Sequence, residues 1–498
     1  MELKSKNNNF SKNTSLVFKI LYLMLGFLNF NSLTANSTFL TYYSYLVTLI
    51  GVCYFLYKFV NFNKYKETKG IIILLFFFIS YMISSIVTIH YGVVSNIKAL
   101  IWIGLQFFLL YAYDKDTTVD EVKKEGFILG WIVITYTFVM ALMGIACLSV
   151  MYHRYRIVNG VETIIGFLWN RLWGFYSDPN YGAVISIISI VISLFYAFKS
   201  KRKLIKLFLM INIVVEMFYL AFSDSRTAQI ALMVTFIWIS IVFVRKINFI
   251  QSLKPILRIA IIGGTTFTVV VSSLVCIKGI TTIGNMYLSS IANPNSALFY
   301  WYDSEKRENY FSEDGNAIEG DDTADVPELD DIVVGRPIDD MGAEGGDISN
   351  RRFAIWQSAI EVFKTKPITG VSFRNIVPYA SDRLSETYIV NNDQSSFASM
   401  HNLFIDVLVS QGLLGMSLFV IFMILVLVTV FKKLHKLNKQ DYIFYALILS
   451  AIVPIFVSGF FYSEILYINT SGSVIFWIAL GYLMNLSDKL KEEETCVK

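Results

Sequence analysis

Long apolar runs separated by short polar ones dominate this chain, and most runs are longer than a helix buried in a soluble domain needs. A bilayer core of about 30 Å takes about 20 apolar residues per helix. Twelve segments fit that length: 16–33, 38–60, 70–90, 96–113, 126–150, 181–198, 205–222, 227–244, 255–277, 401–431, 443–463 and 467–486. The first follows Lys4, Lys6 and Lys12, as a signal peptide would, but no small-residue cleavage site comes after it. A retained signal anchor is therefore expected. The pattern predicts an all-α polytopic membrane protein with about twelve transmembrane helices. Spans one to nine fill 1–277, a large loop covers 278–400, spans ten to twelve fill 401–486, and 487–498 is a tail.

Composition agrees. Hydrophobic residues make up 55% of the 498 and charged residues only 16%, with mean hydropathy +0.56. A soluble domain carries about 25% charged residues. The balance excludes a soluble multidomain enzyme, a disordered chain and a collagen-like one. Cys53, Cys147, Cys276 and Cys496 follow no disulfide or zinc spacing and read as small apolar residues.

Net charge is only +4, and its distribution says more. Lysines gather at Lys4/Lys6/Lys12, Lys58–Lys69, Lys115–Lys124, Lys199–Lys206, Arg245–Lys254, Lys432–Lys439 and Lys489/Lys491, alternating with lysine-poor connections. By the positive-inside rule this places both termini in the cytoplasm. The 278–400 loop then lies between spans nine and ten on the outer face. Within it, 303–347 holds sixteen acidic residues against three basic ones, a net charge of −13, and reads as a solvated insertion without a core. Asp314 to Glu319 misses the EF-hand spacing at Ile318. Phe353, Trp356, Ile360 and Phe363 recur at helical spacing, so about 350–364 is expected to be an amphipathic helix at the membrane surface, stopped by Lys366-Pro367 and Gly370.

Four segments at expected outer span ends carry candidate chemistry. In Arg171–Asn180, Asp178-Pro179 is a helix-start signal, which leaves Arg171, Gly174 and Asn180 unexplained. In Ser223-Asp224-Ser225-Arg226, Arg226 sits at a boundary beside a helix N-terminus, where an anion is favoured. Arg351 and Arg352 open the amphipathic helix. His401-Asn402 opens span ten, and His401 is one of four histidines. Gly412 and Gly415 behind it are expected to allow close helix packing. Several arginines and one histidine on one face suit a lipid-linked diphosphate. Guanidinium holds phosphate oxygens bidentately, and histidine titrates in the range a general base needs. No metal-ligating cluster is evident, and neither a cofactor nor a nucleic-acid partner is expected. A flippase or transporter would show related halves and mid-membrane polar groups. No internal repeat is found, and only Glu216 and Glu464 are of that kind.

These segments, R-x-x-G-F-x-x-D-P-N, S-R-T-A, R-R-x-x-x-W-x-x-A-I with P-I-T-G-V, and H-N-L-F-I-D-V-L-V-x-x-G-L-L-G, resemble the O-antigen ligase/polymerase superfamily over about 165–430. The acidic insertion departs from a plain family pattern. The resemblance implies metal-independent, inverting glycan transfer from an undecaprenyl-diphosphate-linked oligosaccharide at the outer face of the bacterial inner (plasma) membrane. It implies Arg171 and Arg226 on the diphosphate, Arg351 or Arg352 on diphosphate or glycan, and His401 activating the acceptor hydroxyl. Asn180 and Asn402 join as substrate-binding candidates. Polymerization of repeat units for a surface polysaccharide, with membrane lipid and a chain-length regulator as partners, is the expected activity. Ligation onto a lipid core and protein O-oligosaccharyl transfer are the alternatives within the family.

Overall fold

The computed structural model describes residues 2–158, 161–245, 252–291, 351–392, 397 and 399–490. The acidic insertion 303–347 and the last tail residues lie outside them. In chain order the helices are α1 (Glu2–Asn29), α2 (Thr38–Val60), α3 (Ile71–Val87), α4 (Val94–Leu105), α5 (Val119–Ser149), α6 (Pro179–Lys199), α7 (Lys203–Phe222) and α8 (Arg226–Arg245). They continue with α9 (Pro255–Ile291), α10 (Arg352–Thr365), α11 (Ile376–Arg383), α12 (Leu403–Lys436), α13 (Lys439–Ser458) and α14 (Ser471–Lys489). Each of the twelve expected spans coincides with a helix. Among the described residues nine helices are long and apolar enough to cross a membrane, and Asn13–Asn29 and Ile71–Val87 are shorter apolar helices. The chain is an all-α polytopic membrane protein.

Three details differ from the sequence reading. Helix α9 runs to Ile291, fourteen residues past the expected end at 277. A short helix, α11, follows α10. A small antiparallel sheet also stands in the connection before α6: β1 (His153–Val158), β2 (Val161–Leu168) and β3 (Arg171–Gly174), in that order.

The chain divides into two compact units, one of Met1–Asn29, Phe39–Leu129 and Gly346–Lys498, the other of Phe30–Thr38 and Gly130–Gly345. In the second, α6 packs on α7 and α8, α9 packs on α7 and α8, and β3 lies against α6 and α7. Strand β2 pairs with β1 and, after a bulge at Gly166/Phe167, with β3. Trp169 and Asn170 link β2 to β3 with φ of 52° and 57°. Positive φ at both central residues is the pattern of a type I′ hairpin turn, whose twist matches that of the strands.

In the first unit α14 is enclosed by α1, α12, α13 and a π-helical turn at Gln106–Tyr111. Ser471 to Ser487 are almost all buried, which explains why this span is more polar than those facing lipid. The π turn leaves carbonyls without helical partners, and the buried Lys58 ammonium takes up those of Phe108 (3.0 Å) and Ala112 (2.8 Å). Lys19 pairs with Glu125 at 2.7 Å, and Tyr482 donates to the same carboxylate at 2.6 Å.

Helix α12 is broken at Gly412, whose φ of 62° and ψ of −160° only glycine adopts without strain. The chain after α10 fills the break. Val371 N–H donates to Val409 O (3.0 Å) and Ser372 N–H to Ser410 O (2.8 Å). On the other side Leu413 N–H donates to Pro367 O at 2.8 Å. Gly370, at φ 67°, lies against the Ser410–Gln411 backbone. Side chains complete the closure. Ser84 donates to Ser410 O (2.5 Å), Thr88 to Val371 O (2.9 Å) and Gln411 to Tyr467 (2.6 Å), while Ser80 bonds Gln411. Asn96 donates to Asn375 at 2.8 Å, and Asn375 to Thr88 O at 2.8 Å. Gly412 thus allows a break and an inserted loop, where the sequence suggested only close packing.

Gly412→Ala should cost about 1–3 kcal/mol from backbone conformation alone, plus the clash of a Cβ with the Ile368 backbone. Thermal unfolding of the detergent-solubilised protein checks this. Gly279→Ala, inside α9 where a Cβ meets nothing within 4 Å, is the control expected to be as stable as wild type or slightly more so.

Candidate functional site

The expected site residues fall into two groups, one in each unit. In the second unit, the I′ turn delivers Arg171 at the start of β3. Its Nε donates to Ser223 O and its Nη2 to Asn180 Oδ1, both at 2.9 Å. Asn180 in turn donates from its backbone N–H (2.7 Å) and its Nδ2 (2.8 Å) to Asp178 Oδ1. Asp178 is the N-cap of α6 with Pro179 behind it, as expected. Arg171 therefore ties the end of α7 to the start of α6. Ser223 to Arg226 form the α7–α8 turn, with Asp224 at φ 43° and Ser225 Oγ accepting from Ala228 N–H at 3.2 Å. That cap leaves Arg226 exposed on the first residue of α8. The Asn180 amide serves Arg171 and Asp178, a structural use the sequence did not reveal.

In the first unit, α10 and the N-terminus of α12 meet around an aromatic pair. The Arg352 guanidinium lies 5.4 Å from the Tyr462 ring centre and 5.6 Å from that of Phe461. His401 meets the same Tyr462 edge-to-face at 5.8 Å and Phe397 at 6.4 Å. Arg352 and His401 thus share one aromatic wall, where a ring face attracts guanidinium. Arg351 takes a left-handed φ of 63° as the cap of α10, and its Nη1 is 3.4 Å from the Tyr388 hydroxyl. The sequence did not distinguish the two arginines; the fold turns them to different partners. Trp356, expected at headgroup level, donates its indole N–H to Met400 O at 3.0 Å.

His401 itself has φ 51°, a conformation that is uncommon for a non-glycine residue and persists only when its surroundings enforce it. The enforcement is visible on both sides. Asn402 caps α12, accepting from Phe404 N–H (2.9 Å) and Ile405 N–H (3.2 Å) while donating to Phe460 O (3.0 Å). Asp406, fully buried, accepts from Met400 N–H at 2.8 Å and from the Ser463 hydroxyl. Asp406 was not among the expected site residues. The signal was present, since a carboxylate within an apolar span rarely occurs without a partner or a function.

Residues 211–420 match the family model described as O-antigen ligase. That match supports a relationship to the O-antigen ligase/polymerase superfamily. No curated protein matches it at a significant level. The O-antigen ligase match includes Arg226, Arg351, Arg352, His401, Asn402 and Asp406; Arg171 and Asn180 lie before it. Members of this family act in polysaccharide assembly at membranes. Among the described residues no group of three or more His, Cys, Asp or Glu is arranged to hold a metal ion.

Asp406→Ala would leave the Met400 N–H and the Ser463 hydroxyl buried without their acceptor, at about 1–3 kcal/mol each. A melting temperature lowered by several degrees is expected, with Asp406→Asn intermediate because it keeps one acceptor oxygen. An alanine variant as stable as wild type would show that the clamp has no weight.

Proposed function

We propose that the chain is a membrane glycosyltransferase that polymerises undecaprenyl-diphosphate-linked oligosaccharide repeat units for a surface polysaccharide. It would do so at the outer face of the bacterial inner (plasma) membrane, with both termini cytoplasmic and a chain-length regulator as partner. One observation carries the reading: His401 and Arg352, both in the segment matched to the O-antigen ligase family, share the Tyr462 wall that lies beyond it, and His401 is held in a left-handed conformation by Asn402 and Asp406.

The roles follow from the chemistry. The acceptor hydroxyl oxygen attacks the anomeric carbon of the donor sugar, and the bond from that carbon to the diphosphate oxygen breaks. The hydroxyl proton passes to the His401 imidazole. Undecaprenyl diphosphate leaves, and a single displacement inverts the anomeric centre. Arg226 and Arg171 bind the diphosphate and stabilise the charge growing on it. Arg352 orients glycan or diphosphate beside His401, with Arg351 on the glycan side. Arg171 owes its orientation to Asn180, so both are assigned to the donor.

Ligation onto a lipid core is the second reading, favoured by the description of the matching family. A strain lacking this protein, complemented with variants, tests both. Wild type should restore a ladder of long polymer, while Arg226→Ala and His401→Ala, present in the membrane at normal levels, should lose chain extension by about 10²-fold or more. Unchanged polymer length in both variants would overturn the proposal. Long polymer that stays on its lipid carrier in the deletion strain would favour ligation.

A further inference from the structure

The second unit contains a buried carboxylate that the proposed reaction does not use. Glu216 lies within α7 and is fully enclosed, as are Asn212 one turn before it and Thr137, Ser186 and Ser189 on the neighbouring α5 and α6. The hydroxyls of Thr137, Ser186 and Ser189 face the carboxylate. Neither Glu216 oxygen makes a hydrogen bond of ordinary geometry, and the Asn212 Oδ1 and Ser186 Oγ lack a partner as well. The Asn212 amide is oriented by its own donors, which reach Ser189 Oγ (3.1 Å) and Ser193 Oγ (2.9 Å), while Thr137 donates to Ser189 at 2.8 Å. The other ionisable groups near Glu216 are the phenols of Tyr176 and Tyr219, the latter donating to Trp173 O at 3.2 Å. No lysine or arginine among the described residues faces it.

An unpaired charge in such surroundings is expensive. Four buried oxygens lack a partner here, the two of the carboxylate itself, Asn212 Oδ1 and Ser186 Oγ, in a shell of hydroxyl and amide groups. A proton on Glu216 and the Ser186 hydroxyl would together supply two donors, so the neutral acid competes with a bound cation for this shell. A monovalent cation would neutralise the carboxylate and take the amide and hydroxyl oxygens together; a divalent ion would leave a buried net positive charge.

We propose that Glu216, Asn212, Ser186, Ser189 and Thr137 form an intramembrane binding site for an alkali cation. The site joins α5, α6 and α7. It thereby supports the same helix ends that Arg171 bridges, the start of α6 at Asn180 and the end of α7 at Ser223. Cation binding is expected to stabilise this unit independently of whether the chain transfers glycans.

The test uses the full-length protein in detergent with ²²Na⁺ as probe, and compares thermal unfolding in sodium, potassium and choline chloride at equal ionic strength. Expected are saturable ²²Na⁺ binding near one ion per chain and a melting temperature several degrees higher in an alkali chloride than in choline chloride. Both should be absent in Glu216→Gln. Should that variant not be recoverable, Ser186→Ala should weaken ²²Na⁺ binding at least fivefold in a folded protein. Absence of saturable binding, binding retained in full by these variants, or stability that follows pH but not the cation would each overturn the proposal.

Discussion

A membrane helix cannot lose its backbone hydrogen bonds to lipid, so a broken helix must find its partners within the protein. Gly412 imposes that constraint on α12, and much of the first unit is arranged around it. The N–H and C=O groups freed at the break are taken by Pro367 to Ser372, the stretch that leaves α10. Hydroxyls and amides of α3 and α4 then hold that stretch from behind. Fixing the stretch fixes α10 relative to the first half of α12. Arg352 is carried by the former and His401 precedes the latter, so the arrangement of Arg352 and His401 on Tyr462 depends on the closure of the break.

Several polar groups in the first unit serve such closures. Lys58 satisfies carbonyls at the π turn, Lys19 and Glu125 neutralise one another, and Asn402 and Asp406 hold the chain on either side of His401. Each bond is worth only about 0.5–1.5 kcal/mol net, but leaving its partner buried and unmatched costs more. That asymmetry accounts for a loop around His401 that keeps an unfavourable backbone angle. Arg171 works similarly in the second unit, spending two of its donors on the geometry of α6 and α7 rather than standing alone as a surface charge.

The spans were legible because hydropathy acts locally: twenty consecutive apolar residues have few alternatives to a helix in a bilayer. The sheet was not, since its strands are short and sit in a polar connection. Asn159-Gly160, between two runs rich in β-branched residues, was the available hairpin signal. The Asp178-Pro179 start of α6 was read correctly because capping needs only adjacent residues. The clamp at Asp406 was missed because its partners, Met400 and Ser463, are brought to it by two different chain segments.

The sequence by itself determined that the chain is helical and membrane-embedded, where its apolar helices lie, and which family it resembles, because composition, periodicity and short motifs are properties of neighbouring residues. Only the tertiary structure decided that Gly412 breaks a helix rather than packing one, that Arg352 and not Arg351 shares a wall with His401, that Asn180 serves Arg171, and that Glu216 is ringed by oxygens. Each of these depends on which distant segment satisfies a buried polar group. That matching is made in three dimensions, whether the partners are nine positions apart, as Arg171 and Asn180 are, or more than a hundred, as Arg352 and Tyr462 are, and hydropathy along the chain does not record it.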